Sequence, residues 1–474
     1  MCQDKDFLTI GFVTTCMSEF DAVLDVADVR ESEIPDITDP EYVGPMRGYL
    51  GEFGRVVNAG VVGDVPGAEA AARFFKEQET DVLVIHEFAF TLSSTINALI
   101  KGLDAPIIFW NTQKQRHMDE KTDFSIVMAN NSVSTIPHST NLLFQAGRQD
   151  YWVVTGSEAD EHTSTRFAEL FCAVSAKKRL AKSKIASIGY VYPGMHTLSV
   201  NEEKFSSVFG VSVDRLNPAE IRKYYRNADD DRVVDALEEL KRQYVVEGLS
   251  ADELARSARF EVAFRNYAAD KKITAFALLC GLLIQDDEMG VAPCYALSKL
   301  SAEGIHSSCE CDIPSAAALI VAQELAGDAH FTEFYMMDMD REIILMCHCG
   351  YGNCALANEK YPVKIVPQPC FPGPRGSGAA FEFSIKPGVA TILSITDSPS
   401  GYKLVSILAD CLDVAAYPSA CPQAVIRFRD HSMTGGVERY CKAGGSHHMV
   451  ICSGDITGSL GILAQLIGID YERI

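Results

Sequence analysis

A chain of 474 residues that is 47% hydrophobic can fill more than one packed core, and its 42 basic against 64 acidic side chains leave a net charge of −22, which repels nucleic acid and anionic membrane alike. The longest apolar run, 273–284, is broken by Thr274 and Gly281 and falls short of the roughly 18 residues of a membrane span, while the start MCQDKDFLTIGF lacks the basic and apolar regions of an export signal. Fifteen cysteines, an odd number in a long chain, fit reduced thiols in a cytoplasmic protein better than a disulfide framework.

In chain order, short apolar runs at 8–14, 81–85 and 106–110 read as strands, with a helix at 67–76 between two of them: a βαβ pattern. A second alternation opens with a strand at 184–192 and runs through an amphipathic stretch from 231 to 270. That stretch breaks at Gly248-Leu249-Ser250, where Ser250 and Glu253 have capping-box spacing, and another strand follows at 273–280. From about residue 362, Pro, Gly and β-branched residues with period-two alternation predict an antiparallel sheet or barrel. The tail adds a short strand and a helix at about 457–467. The expected fold is α/β: two Rossmann-like parallel-sheet domains, 1–175 and 176–330, then a mainly β, barrel-like domain, 331–474.

Chemistry-bearing side chains crowd between 305 and 350. The run 305–309 reads as a strand ending at Glu310, and 315–326 has helical spacing with Asp312 and Pro314 at its start and Gly327 at its stop. The run 343–347 is strand-like and ends at His348, and sites in open α/β sheets gather at such carboxyl ends. Glu333 lies between them in a segment that reads as irregular. Further on, His447-His448 follow Gly444-Gly445. Two carboxylates and two histidines make an oxygen and nitrogen donor set that suits Mn²⁺. Neighbours on an extended strand point to opposite faces, so only one of the paired histidines is expected to face an ion. A competing set, Cys309, Cys311, Cys347 and Cys349 with His348, would select zinc, but the cysteines of each pair stand closer together than structural zinc spacing allows. Arg375 sits in the Pro/Gly stretch 371–378, either a domain-edge turn or a lid whose guanidinium meets a polar or anionic substrate group. No GxGxxG, P-loop, GxSxG or HExxH pattern is present.

These residues, in this order, resemble the L-arabinose isomerase and L-fucose isomerase superfamily along nearly the whole chain, with a layout closer to the arabinose branch. The resemblance is carried by Cys309-Glu310-Cys311-Asp312 with its alanine-rich helix, by Phe331-Thr332-Glu333 leading to His348, and by Ala443-Gly444-Gly445-Ser446-His447-His448. His86 to Leu92 and Asn111-Thr112-Gln113 match two loop motifs of the first domain. It implies a metal-dependent aldose–ketose isomerase acting on an open-chain pentose, deoxyhexose or related sugar through an enediol. Glu310 and Glu333 are then the catalytic, metal-binding acids, and His348 and His448 the metal-site histidines, with His447 facing away from the ion. Mn²⁺ is the implied ion, with Co²⁺ or Mg²⁺ as substitutes, and the implied assembly is a trimer or hexamer with sites completed by the neighbour's first domain. Asn111, Gln113, Arg375 and His447 are the expected substrate contacts. The interval from Glu333 to His348 is shorter than in the arabinose pattern, which leaves Asp338 open as the second acid. A sulfo-sugar (sulfoquinovose) isomerase of the same fold and a non-catalytic sugar-binding protein are the alternatives.

Overall fold

The structure, a computed structural model, describes residues 7–17, 40–369 and 378–474, so Arg375 lies outside the described residues. The chain divides into two compact units, Met1–Ser175 and Ala176–Ile474. In the first, β1 (Thr9–Thr15), β2 (Arg55–Val62), β3 (Val82–Glu87), β4 (Ile107–Asn111) and β5 (Tyr151–Thr155) form a parallel sheet in the order β2-β1-β3-β4-β5. Strand β3, VLVIHE, is buried at every position, as a sheet covered on both faces requires. The direction of strand progression reverses between β1 and β3, the kind of point at which parallel sheets open a crevice at their carboxyl ends.

The second unit contains a parallel sheet and a barrel. Strands β6 (Lys184–Ile188) and β7 (Ser212–Leu216) are followed by the two-residue β8 (Val245–Val246), and then by β9 (Ala275–Leu278) and β10 (His306–Cys309). The parallel sheet runs β10-β9-β6-β7. The expected capping box is present: Ser250 and Glu253 close the start of the helix Ala251–Lys271.

The remaining strands are β11 (His330–Asp338), β12 (Ile343–Cys347), β13 (Lys364–Pro367), β14 (Ala379–Ser384), β15 (Gly388–Ser398), β16 (Gly401–Cys411), β17 (Pro422–Phe428), β18 (Met449–Ser453) and β19 (Asp470–Arg473). Six of them, β16-β15-β18-β11-β12-β17, pair antiparallel, and a β16–β17 ladder closes the ring. Closure removes the edges that an open sheet of this length would expose. Ile392, Val405, Ile407, Ile426 and Ile451 are among the side chains that fill its core.

One local expectation fails. Glu333 stands on β11 and not in an irregular segment. The far end of the β11–β12 hairpin exposes Tyr335, Met336, Met337 and Met339, so the polar and apolar alternation that reveals a strand is missing there. Among the described residues no helix is long and apolar enough to cross a membrane.

Candidate metal centre

Register explains why residues distant in sequence meet. Strand β11 sets Glu333 opposite Cys347 of β12 and Thr332 opposite Met449 of β18. His348, one residue past β12, and His448, one residue before β18, therefore flank Glu333 at one end of three neighbouring barrel strands. Glu310 arrives from the parallel sheet, directly after β10. Both Glu310 and Cys311 adopt left-handed backbone, φ +58° and +60°, a conformation that costs a non-glycine residue about 1–2 kcal/mol. Those two residues turn the chain from β10 into the buried helix Ile313–Ala326, whose N-cap is Asp312 and whose C-cap is the left-handed Gly327.

Glu333 Oε1 lies 2.6 Å from His348 Nδ1 and 3.5 Å from His448 Nε2, and Glu310 Oε2 lies 3.5 Å from that same Nε2. The donor atoms of Glu333, His348 and His448 fall within 4.8 Å of one another, as do those of Glu310, His447 and His448. His448 thus belongs to both groups. Glu310, His348 and His448 are buried, Glu333 partly so, and His447 is exposed. Glu310 Oε2 is buried and has no hydrogen-bond partner, a costly condition that a cation within reach would relieve. Two carboxylates with two or three imidazoles fit a borderline-hard divalent ion such as Mn²⁺.

The two acids sit in opposite electrostatic settings. Burial works against the charge on Glu333, but hydrogen bonds with His348 and His448 outweigh it and hold its pKa at about 2. For Glu310 burial wins, and its pKa is raised despite the nearby imidazoles. Burial opposes the charge on His448 as well, yet its bonds to Asp312 and Glu333 raise its pKa; in His348 the neighbouring Cys349 and Glu333 have the same effect. Burial, and then the adjacent His448, lower the pKa of His447.

The strand alternation on which the expectation for His447 rests is absent here. Strand β18 begins only at Met449, so the two histidines lie in a bend where alternation does not apply, and their rings stand 4.1 Å apart between centroids. Asp338 is remote in its bonding: it accepts from the backbone N–H of Arg341 at 3.0 Å and from its guanidinium at 2.6 Å, near the hairpin tip. Asn111 and Gln113 belong to the first unit, where they line an open cavity of about 320 Å³ with Arg116, Thr155, Ser157 and Asp160. Asn111 donates to Thr155 Oγ1, and Arg116 is held by Asp160 at 2.8 Å. No cysteine joins a metal-competent group among the described residues. Cys311 instead donates to the Ile188 carbonyl, and Cys349 Sγ sits 3.5 Å from His348 Nε2. Asp312, which the sequence marks only as a helix start, bonds His448 Nδ1 at 2.8 Å. A capping acid two residues beyond a candidate ligand was the available signal for it.

Residues 328–470 match the L-arabinose isomerase C-terminal domain. The chain is 22% identical over 399 residues to the sulfoquinovose isomerase of Priestia aryabhattai, covering 84% of this chain and 86% of the relative. A sulfoquinovose isomerase of Alkalicoccus urumqiensis is likewise 22% identical, over 83% and 86%. The L-arabinose isomerase of Mycolicibacterium smegmatis is 23% identical over 68% of this chain and 66% of its own. These likenesses, to a family model over the last third of the chain and to relatives of 22–23% identity, are all to arabinose-isomerase-like proteins, the superfamily that the motifs resemble.

Proposed function

We propose that this protein is a divalent-metal aldose–ketose isomerase of an open-chain sugar, with Glu310, Glu333, His348 and His448 holding one ion, Mn²⁺ or its substitutes Co²⁺ and Mg²⁺. The observation that carries this is the convergence of two acids and three histidines around the unpartnered Glu310 Oε2. Similarity to relatives named as sugar isomerases supports the reaction class. When bound, the ion polarises the sugar carbonyl and its neighbouring hydroxyl. Glu310, whose Oε2 is committed to no hydrogen bond, takes the proton from one of the C1 and C2 carbons and returns it to the other. Glu333 is the second acid: held ionised by His348 and His448, it takes the proton of the hydroxyl beside the carbonyl and returns it to the neighbouring oxygen as the carbonyl moves. His447, exposed beside His448, meets a sugar hydroxyl.

The sulfoquinovose isomerases match a larger share of this chain than the mycobacterial arabinose isomerase does, which favours a six-carbon sulfo-sugar over a pentose as substrate. Arg116 is already engaged by Asp160, so Arg375 is the proposed partner for a sulfonate. A homo-oligomer, trimer or hexamer, belongs to the same proposal.

The test is exchange of the C2 proton with solvent, across sulfoquinovose, L-arabinose, L-fucose, D-arabinose and glucose 6-phosphate, with Mn²⁺, Co²⁺ or Mg²⁺ present. One aldose should exchange, and a chelator should stop it. Binding of a sugar without exchange under any ion would leave a sugar-binding protein instead.

A further inference from the structure

We propose that Asp312 is the positioning residue that fixes the tautomer of His448 and so aims its Nε2 lone pair into the metal centre; this rests on the metal assignment above. His448 is only 1% exposed, so its outer nitrogen has no access to bulk water. That nitrogen, Nδ1, lies 2.8 Å from Asp312 Oδ2. A carboxylate only accepts, so Nδ1 must carry the hydrogen, and in the neutral ring that a metal ion requires Nε2 is then the lone-pair donor, 3.5 Å from Glu310 Oε2 and from Glu333 Oε1.

Asp312 is itself immobilised. Its Oδ1 accepts from the Ser315 backbone N–H at 3.0 Å, its Oδ2 accepts from Ser315 Oγ at 2.6 Å, and its own carbonyl accepts from Ser308 Oγ at 2.5 Å. The residue therefore ties three things together: the left-handed turn that presents Glu310, the first turn of the helix Ile313–Ala326, and the imidazole of His448. Its helix-capping bond alone would not need a histidine against the second oxygen.

Asp312→Ser separates the two roles, because a serine hydroxyl caps a helix as well as an aspartate does but is too short to reach His448. Ser315→Ala is the control, since it removes the hydroxyl bond to Oδ2 while keeping both the backbone N–H that Oδ1 caps and the carboxylate against His448. The measurement is Mn²⁺ affinity without sugar, from the electron paramagnetic resonance signal of free Mn²⁺, with the thermal midpoint of each variant beside it. Loss of such a supporting group typically weakens metal binding about tenfold to a hundredfold. We expect that loss in Asp312→Ser with a midpoint within about 5 °C of the parent, and affinity within about twofold in Ser315→Ala.

Parent-like Mn²⁺ affinity in Asp312→Ser overturns the positioning role and leaves the metal centre standing. Equal loss of affinity in Asp312→Ser and Ser315→Ala also overturns it, since the hydroxyl bond to Oδ2, lost in both, would then account for the effect without the bond to His448. Failure of Asp312→Ser to fold shifts the decision to Asp312→Asn, where an amide in place of the carboxylate must give up either the cap or the bond to Nδ1; affinity unchanged in a folded Asn variant of parent-like midpoint again overturns the proposal. Absence of Mn²⁺ binding by the parent protein rejects the metal centre itself.

Discussion

Replacing Glu310 by Gln should separate function from stability more sharply than any other change to this chain. The substitution keeps the side-chain volume and the left-handed backbone at φ +58°, but removes a proton acceptor and an anionic donor. General acid–base groups contribute about 10²- to 10⁴-fold, so a loss of at least about a hundredfold is expected, equivalent to about 2.7 kcal/mol on the barrier. Stability should move the other way or not at all. Glu310 is 8% exposed, its Oε2 lacks a hydrogen-bond partner, and burial raises its pKa. A neutral amide takes away a charge that its surroundings disfavour, the usual trade between stability and activity at a reacting group. Solvent exchange of the substrate C2 proton gives the rate, and scanning calorimetry without metal gives the midpoint. Activity within threefold of the parent, a factor of about 0.65 kcal/mol, would refute the catalytic assignment. A fall in midpoint accompanying the loss of rate would make Glu310 a structural residue.

Glu333→Gln should abolish exchange while Asp338→Asn leaves it intact, because Asp338 is committed to Arg341; the reverse pattern would exchange their assignments. In the first unit, burial raises the pKa of Glu87 to about 7 and lowers that of His86 to about 4, from ordinary values of 4.5 and 6.5. Unfolding releases the Glu87 proton as pH rises through that range and adds one to His86 as pH falls, so their opposite slopes cancel between pH 4.5 and 6.5. Glu87→Gln should unmask the histidine slope, with stability rising by about 3 kcal/mol across the window; denaturant titrations at the two ends measure it, and a flat variant profile would refute the pairing. Gly352→Ala should destabilise by about 1–3 kcal/mol, since a Cβ there would stand 2.2 Å from the His330 ring and 2.6 Å from Pro422; an unchanged midpoint would show that this packing yields freely.

The elements that were legible in the sequence are those whose burial is one-sided or complete. Strand β3 is buried throughout and the helix Ile313–Ala326 has an acid, a proline and a glycine at its limits, so periodicity and capping chemistry located both. The capping box at Ser250 needed only local spacing. Strand β11 was not legible because its outer half is exposed on both faces. The histidine pair lies outside such a pattern for a related reason: the alternation rule applies to strands, and the bend of residues 447–448 ends where β18 starts.

Convergence is the part that no local pattern encodes. Glu333, His348 and His448 become neighbours only through the β12-β11-β18 ladder, which depends on pairings across more than a hundred residues of chain, and Glu310 joins them from a different sheet. A spacing rule is blind to such a site, because each residue sits just inside or just beyond the end of its own strand and looks, in isolation, like a strand terminator. The features that betray it are energetic. A left-handed glutamate and a buried carboxylate oxygen without a partner each cost free energy in this fold. Their coincidence at one point argues that the chain holds them together for a ligand that none of them supplies alone.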